Sequence, residues 1–168
     1  MIKTLSSRQW LGFIALAATA SMLFAFYLQY VVELVVCPLC LTQRVFVVGT
    51  GLTALLAFIH NPNTLGIRIY ALIGAVFAFT GAGFAGRHVW LQHLPEDQVP
   101  ACGPSLQYML ETLPFTDALT TLLMGDGNCA ERVWELFGLS IPELTLLLFV
   151  GFGGILLWQT LSPKVGRG

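Results

Sequence analysis

Long uncharged apolar runs, rather than an alternation of apolar and polar positions, dominate this chain. Four are long enough to cross a bilayer, which takes about 20 residues of helix. They cover 10–32, 41–59, 67–85 and 144–161, and charges are confined to their edges, with Arg44 just inside the start of the second. The pattern predicts four transmembrane helices. Trp10, Tyr30, Tyr70, Trp90 and Trp158 fall near the predicted ends, where amphipathic rings settle at headgroup level. The third run carries Gly74, Ala78, Ala82 and Gly86 at four-residue spacing, a small-residue face along which helix backbones approach closely in lipid.

The polar stretches are unequal. The connection 33–40 is short, 60–66 is a turn-rich link containing Asn61-Pro62-Asn63, and 86–142 is long. Within the long one, Leu106, Leu110, Leu113 and Phe115 among polar neighbours predict a short amphipathic helix lying on the membrane surface. Gly125-Asp126-Gly127-Asn128 is a turn signal. Beyond it, 129–137 reads as another short helix, with Asn128 as N-cap, Glu131 completing a capping box and Gly138 as terminator. The expected architecture is an all-α membrane protein, a four-transmembrane-helix bundle over 1–168 whose long loop carries short amphipathic helices.

Composition agrees with burial in lipid. The chain is 56% hydrophobic and only 10% charged, against about 25% charged in soluble domains, and its mean hydropathy is +0.77. A formal net charge of −1 gives no electrostatic footing for nucleic-acid binding. Lys3 and Arg8 ahead of the first run, with Ala18-Thr19-Ala20 inside it, imitate a signal peptide. The run continues through Leu28, so cleavage would leave half a span behind, and it is read as an uncleaved helix. Lys3, Arg8, Arg68, Lys164 and Arg167 fall on one side with no acid, whereas Arg44, Arg87 and Arg132 fall on the other with all nine acids. The positive-inside rule then places both termini in the cytoplasm.

All four cysteines fall on the opposite, oxidising side: Cys37 and Cys40 in the short connection, Cys102 and Cys129 in the long one. In Cys37-Pro38-Leu39-Cys40-Leu41-Thr42-Gln43-Arg44, proline is best tolerated as the first helical residue, which makes Cys37 the N-cap. Cys40 then sits in the first turn among unpaired N–H groups, with Arg44 four residues on along the same face. Free N–H groups, helix dipole and guanidinium each stabilise a thiolate, which suits a disulfide that accepts electrons readily. Cys102 stands in an irregular Pro-Ala-Cys-Gly-Pro tip, open to an incoming thiolate, and Cys129 at a predicted helix start. For these two, a structural staple and a redox pair fit the residues equally. Arg44 reads either as a side chain reaching for the interface or as a functional ion in the membrane, and His88 as an interfacial residue. Zinc is the weaker reading, because the histidines form no ligand spacing with the cysteines.

Four apolar spans, Cys37-Pro38-Leu39-Cys40 with Gln43-Arg44, His88-Val89-Trp90-Leu91-Gln92, and Gly127-Asn128-Cys129-Ala130-Glu131-Arg132 together resemble the bacterial disulfide bond formation protein B family over nearly the whole chain. Such proteins help keep the bacterial periplasm oxidising. The resemblance implies an inner-membrane oxidoreductase with both cysteine loops periplasmic. It implies that Cys102–Cys129 oxidises a periplasmic DsbA-like thioredoxin-fold partner through a mixed disulfide at Cys102. Cys129 would pass electrons to Cys37–Cys40, and Cys40 would face a membrane quinone, ubiquinone or menaquinone. Arg44 matches the family's quinone-site arginine, and His88 a histidine near that site. Gln43 stands where some relatives carry an acid, a difference expected to tune the quinone site. The competing expectation is a non-enzymatic membrane protein whose disulfide-stapled loop binds a partner.

Overall fold

A computed structural model describes residues 6–101, 103, 108, 114–136 and 138–162. Its long helices are α1 (Ser7–Tyr30), α2 (Pro38–His60), α3 (Thr64–Gln92) and α5 (Ile141–Leu161), with a shorter α4 (Phe115–Met124) in the long connection. The four long ones are each extended and apolar enough to cross a bilayer, and the chain is an all-α, multi-pass membrane protein. α3 lies between α2 and α5, and α1 packs on the other side of α2. α1 and α5 scarcely touch, and the gap between them matters for the site.

Local chemistry sets the helix ends. Ser6 caps α1 in a reciprocal box with Gln9: Ser6 N–H donates to Gln9 Oε1 at 2.9 Å, and Gln9 N–H to Ser6 Oγ at 3.4 Å. Asn61 ends α2 with φ 44°, the left-handed geometry that asparagine tolerates. Asn63 starts α3 by accepting the Gly66 N–H at 3.0 Å. Ser140 precedes α5, where Ser140 N–H and Oγ–H both donate to Glu143 Oε2 at 2.7 and 3.0 Å. Ser140 is fully buried, so Ser140→Ala is expected to destabilise the protein by about 1 kcal/mol. A reversible denaturation titration in detergent would show this as an earlier midpoint.

The core of the bundle uses small residues to bring helices together. On α3, Ala71, Gly74, Ala75, Ala78, Gly81 and Ala85 are buried. A β-carbon on Gly81 would run into the Phe149 ring, and one on Gly74 would press on Thr53 and Leu156. Gly86, expected on this face, borders open space instead. The helical repeat of 3.6 residues rotates a strict four-residue spacing off the contact line, so the buried stripe alternates threes and fours. α3 also continues through Gln92, well past 85. Hydropathy stops at Arg87, but His88 and Leu91 are buried against the loop, and packing carries the helix on.

The expected helix over 129–137 does not form. A 3-10 turn, Gly127–Ala130, is followed by extended chain and a hairpin of β1 (Glu135–Leu136) and β2 (Leu139–Ser140), with Glu135 opposite Ser140 and Leu136 opposite Leu139. Gly138 has φ 79° and serves the hairpin rather than a helix end. Asn128 is not an N-cap, since its amide donates to Gly103 O at 3.2 Å and to Asp126 Oδ2 at 3.0 Å. The capping box nearest this segment is the one at Ser140 and Glu143. Trp134 packs edge-on against Phe24 of α1 at 5.5 Å, a tertiary contact that outweighs weak local helix preference. The amphipathic helix expected around Leu106, Leu110 and Leu113 lies outside the described residues. α4 begins at Phe115 and docks on α2 through Thr42 Oγ–H, which donates to Leu122 O at 2.7 Å.

Candidate functional site

α2 starts as Pro38 dictates. Pro38 is the first helical residue, Cys37 is the N-cap, and Cys37 Sγ accepts the Cys40 N–H at 3.4 Å. The two sulfurs stand 3.0 Å apart. α3 crosses this end of α2 and presents His88, which is buried with Nε2 3.7 Å from Cys37 Sγ. The other ring nitrogen, Nδ1, meets the Gln43 amide nitrogen at 3.0 Å. With that amide donating to Nδ1, the ring proton sits on Nε2 and faces the Cys37 sulfur. His88 is thus no interfacial residue, and Gln43, buried beside it, orients its ring.

The Gly127–Ala130 turn drops Cys129 into the same place. Cys129 is fully buried and packs with Cys37, Leu39 and Leu91. The ligating atoms of Cys37, His88 and Cys129 all lie within 4.8 Å of one another. Cys129 Sγ–H points to Asp126 Oδ1 at 3.7 Å, and Asp126 is itself buried. The thiol pKa of Cys129 is raised far above the ordinary range, first by its hydrogen bond with Cys37 and then by burial. For Cys37 the Cys129 contact pulls downward, but the Cys40 hydrogen bond and burial carry the balance up. In the fully reduced site these contacts favour the thiol form of both sulfurs. The helix N-terminus expected to favour a Cys129 anion is absent.

Cys102 lies outside the described residues. Its chain neighbours are tied to the Cys129 turn: Ala101 O accepts the Gly127 N–H at 3.2 Å, and Gly103 O accepts the Asn128 amide.

Arg44, one helical turn below Cys40, does not reach for solvent. Its guanidinium donates to Gln29 Oε1 and, at 3.2 Å, to Ala25 O, and it lies 5.6 Å from the Phe26 ring centroid. All three partners belong to α1. Together they hold the cation at the wall of a cavity of about 110 Å³ in the gap between α1 and α5, floored by α2. Cys40, Gln43 and Arg44 supply its polar wall with Gln29, while Met22, Leu28, Val47 and Leu148 line it with hydrocarbon. Cys40 also borders a smaller cavity with Cys37, His88 and Asn128. Among the described cysteines, Cys37 is the meeting point of Cys129 and Cys40, and Cys40 is the one that reaches the larger cavity.

Three contributors were not foreseen as partners in the sequence. Gln29 sits in an uninterrupted apolar helix, Gln43 is expected to tune the quinone site rather than to meet His88, and Asp126 looks like ordinary turn chemistry. Only the fold shows what each one touches.

A four-span membrane helix bundle that gathers buried cysteines beside a histidine at one end has the make-up of a membrane thiol–disulfide oxidoreductase. Comparison with known proteins agrees. Residues 7–159 match the family profile "Disulfide bond formation protein DsbB". The chain is 50% identical over 156 residues to disulfide bond formation protein B of Saccharophagus degradans, covering 93% of this chain and 94% of that one. It is 53% identical over 140 residues to the Hahella chejuensis protein of the same name, covering 83% and 85%, and 48% identical over 163 residues to that of Nitrosococcus oceani, covering 96% of each. The chain belongs to the disulfide bond formation protein B family, and its role is oxidoreductase chemistry in disulfide formation.

Proposed function

We propose that this protein reoxidises a periplasmic DsbA-like thioredoxin-fold oxidase and delivers the electrons to a membrane quinone, ubiquinone or menaquinone. The site is set at the periplasmic face of the bacterial inner membrane, with both termini cytoplasmic, an orientation supported by the skewed basic residues. The observation that carries the reading is the position of Cys37, 3.0 Å from Cys40 Sγ and within 4.8 Å of Cys129 Sγ, while Cys40 opens onto the Arg44 cavity.

Those positions, with the family resemblance for Cys102, support the following exchange sequence. A partner thiolate attacks Cys102 of a Cys102–Cys129 disulfide, and Cys129 leaves as a thiolate. The partner's second thiol displaces Cys102, which completes the partner's disulfide. Cys129 then attacks Cys37 of a Cys37–Cys40 disulfide, and the Cys40 thiolate leaves toward the cavity. Cys102 attacks Cys129 in turn, restoring the loop disulfide and releasing Cys37 as a thiol. The net transfer is two electrons and two protons out of the partner's dithiol. A quinone takes up two electrons and two protons, and the cavity suits its ring: hydrocarbon walls, one guanidinium fixed by α1, and the Cys40 sulfur at the rim. Arg44 is positioned to stabilise negative charge there, while His88 Nε2–H faces the sulfur of Cys37 as it changes charge.

The test is to mix purified protein in detergent with a reduced DsbA-like substrate, with and without quinone, and to count free thiols over time. Substrate oxidation is expected to require quinone and to disappear in Cys40→Ser. Oxidation that ignores quinone, or that survives Cys40→Ser, would defeat the relay and favour a stapled, partner-binding loop.

A further inference from the structure

In the proposed relay Cys37 and Cys129 exchange electrons with His88 beside them, yet the donor atoms of all three form one buried cluster with every pair within 4.8 Å. Cys40 Sγ lies outside that cluster but 3.0 Å from Cys37 Sγ, near enough to swing in and complete a set of three sulfurs and one imidazole. We propose that the fully reduced protein binds one thiophilic d10 cation, Zn²⁺ being the probe, through Cys37, His88 Nε2 and Cys129, with Cys40 as fourth ligand.

The geometry is close to what such an ion requires. With Zn–S near 2.3 Å and Zn–N near 2.0–2.1 Å, tetrahedral ligand atoms stand about 3.5–3.8 Å apart. His88 Nε2 and Cys37 Sγ are already 3.7 Å apart. The Cys37–Cys40 pair needs to open by less than about 1 Å and the Cys40 sulfur to turn toward His88 and Cys129, a side-chain rotation, and Cys-x-x-Cys is a common zinc half-site. The surroundings fit as well. Leu39 and Leu91 enclose the cluster, which keeps water from competing for the ion.

Gln43 lets the same histidine serve both states. In the metal-free site its amide nitrogen faces Nδ1, leaving the proton on Nε2. Ligation needs the Nε2 lone pair, which moves the ring proton to Nδ1. An amide meets that demand by turning over to present its oxygen, since it carries donor and acceptor on one plane. A metal-bound histidine whose other nitrogen donates to a neighbouring oxygen is the usual supporting arrangement.

Disulfides do not ligate zinc this way, so the site exists only when Cys37, Cys40 and Cys129 are all reduced. Bound metal would occupy the sulfurs that exchange electrons and hold the protein idle until it is removed. That inhibitory consequence rests on the relay reading, whereas the site itself does not. Linear spacing hides it, because His88 and Cys129 are remote in sequence from the Cys-x-x-Cys.

The experiment uses the full chain in detergent, reduced with a phosphine that is then removed, and titrated with Zn²⁺ against a chromophoric chelator. One zinc per reduced chain is expected and none after oxidation. Affinity should fall by more than about tenfold in His88→Gln and in Cys129→Ser, and by about tenfold or more in Gln43→Ala, the usual cost of losing a supporting group. Cys102→Ser should bind as the parent does. Co²⁺ in place of Zn²⁺ should give the visible bands of a tetrahedral, thiolate-bound ion. No stoichiometric zinc in the reduced parent, an octahedral cobalt spectrum, or a requirement for Cys102 would each overturn the site. Partner oxidation is measured separately with a chelator present. A chain that binds zinc but never oxidises the partner keeps the site and refutes the relay. One that turns over in chelator and ignores zinc refutes the site alone.

Discussion

Cys129→Ser is expected to stop oxidation of the partner dithiol, lowering its rate by at least about a thousandfold, the scale seen when an essential nucleophile is removed. Cys129 is the described loop sulfur within 4.8 Å of Cys37, and a hydroxyl cannot form the mixed disulfide through which the proposed relay would join the two pairs. Water cannot take its place, because the position is fully buried. The fold should survive, since serine is close in volume and Asp126 Oδ1, 3.7 Å from the sulfur, is available to accept its O–H. The control is a small membrane-permeant dithiol that reduces Cys37–Cys40 directly. With it, quinone reduction should persist in the variant, so the fault lies between the two cysteine pairs. Partner oxidation at the parental rate would mean that electrons reach Cys37 by some route other than Cys129.

Gly125→Ala is expected to uncouple the same pairs without removing a sulfur. Gly125 joins α4 to the Cys129 turn with φ 76° and ψ 167°, a region open essentially to glycine alone, where other residues are strained by about 1–3 kcal/mol. Space is short as well as conformation. A β-carbon would lie 2.6 Å from Leu39 Cδ1 and 3.1 Å from Leu91 Cδ1, two side chains with almost no exposure. Overpacking of this kind costs about 1–3 kcal/mol more. The cheapest relief is to lift the turn away from α2 and α3, which carries Cys129 off Cys37. The check is the yield of Cys37–Cys129 disulfide on mild oxidation in a Cys40→Ser, Cys102→Ser background. It should be high with Gly125 and fall severalfold with alanine, while the stability of the helical bundle changes little. Gly138→Ala separates the two causes, because Gly138 has a similar φ of 79° but open space around its Cα. Equal yields with glycine and with alanine at position 125 would show that the turn is not held by the Leu39 and Leu91 packing.

Both predictions concern a turn whose local sequence points the wrong way. Asn128, Glu131 and Gly138 carry helix-start and helix-stop chemistry, yet the chain makes a 3-10 turn and a hairpin. Such signals are worth about 1 kcal/mol each, and burying Cys129 and Asp126 and setting Trp134 on Phe24 outweighs them. The N-terminus of α2 went the other way. Pro38 has a single strong preference, no buried competitor opposes it, and the helix begins where the proline requires.

Taken by itself, the sequence determined the four spans, the start of α2 at Pro38 and the Cys-x-x-Cys placed on its first turn. Those features rest on terms summed locally: transfer of about 20 apolar residues into lipid, or the fixed φ of one proline. Tertiary structure alone decided that His88 faces Cys37 instead of the interface, that Gln43 orients it, that Gln29 and Ala25 anchor Arg44 to α1, and that Cys129 is buried beside Cys37. Each is a contact between side chains far apart in sequence or on different helices. Their free energy depends on how α1, α2 and α3 cross, and no spacing along the chain records that crossing.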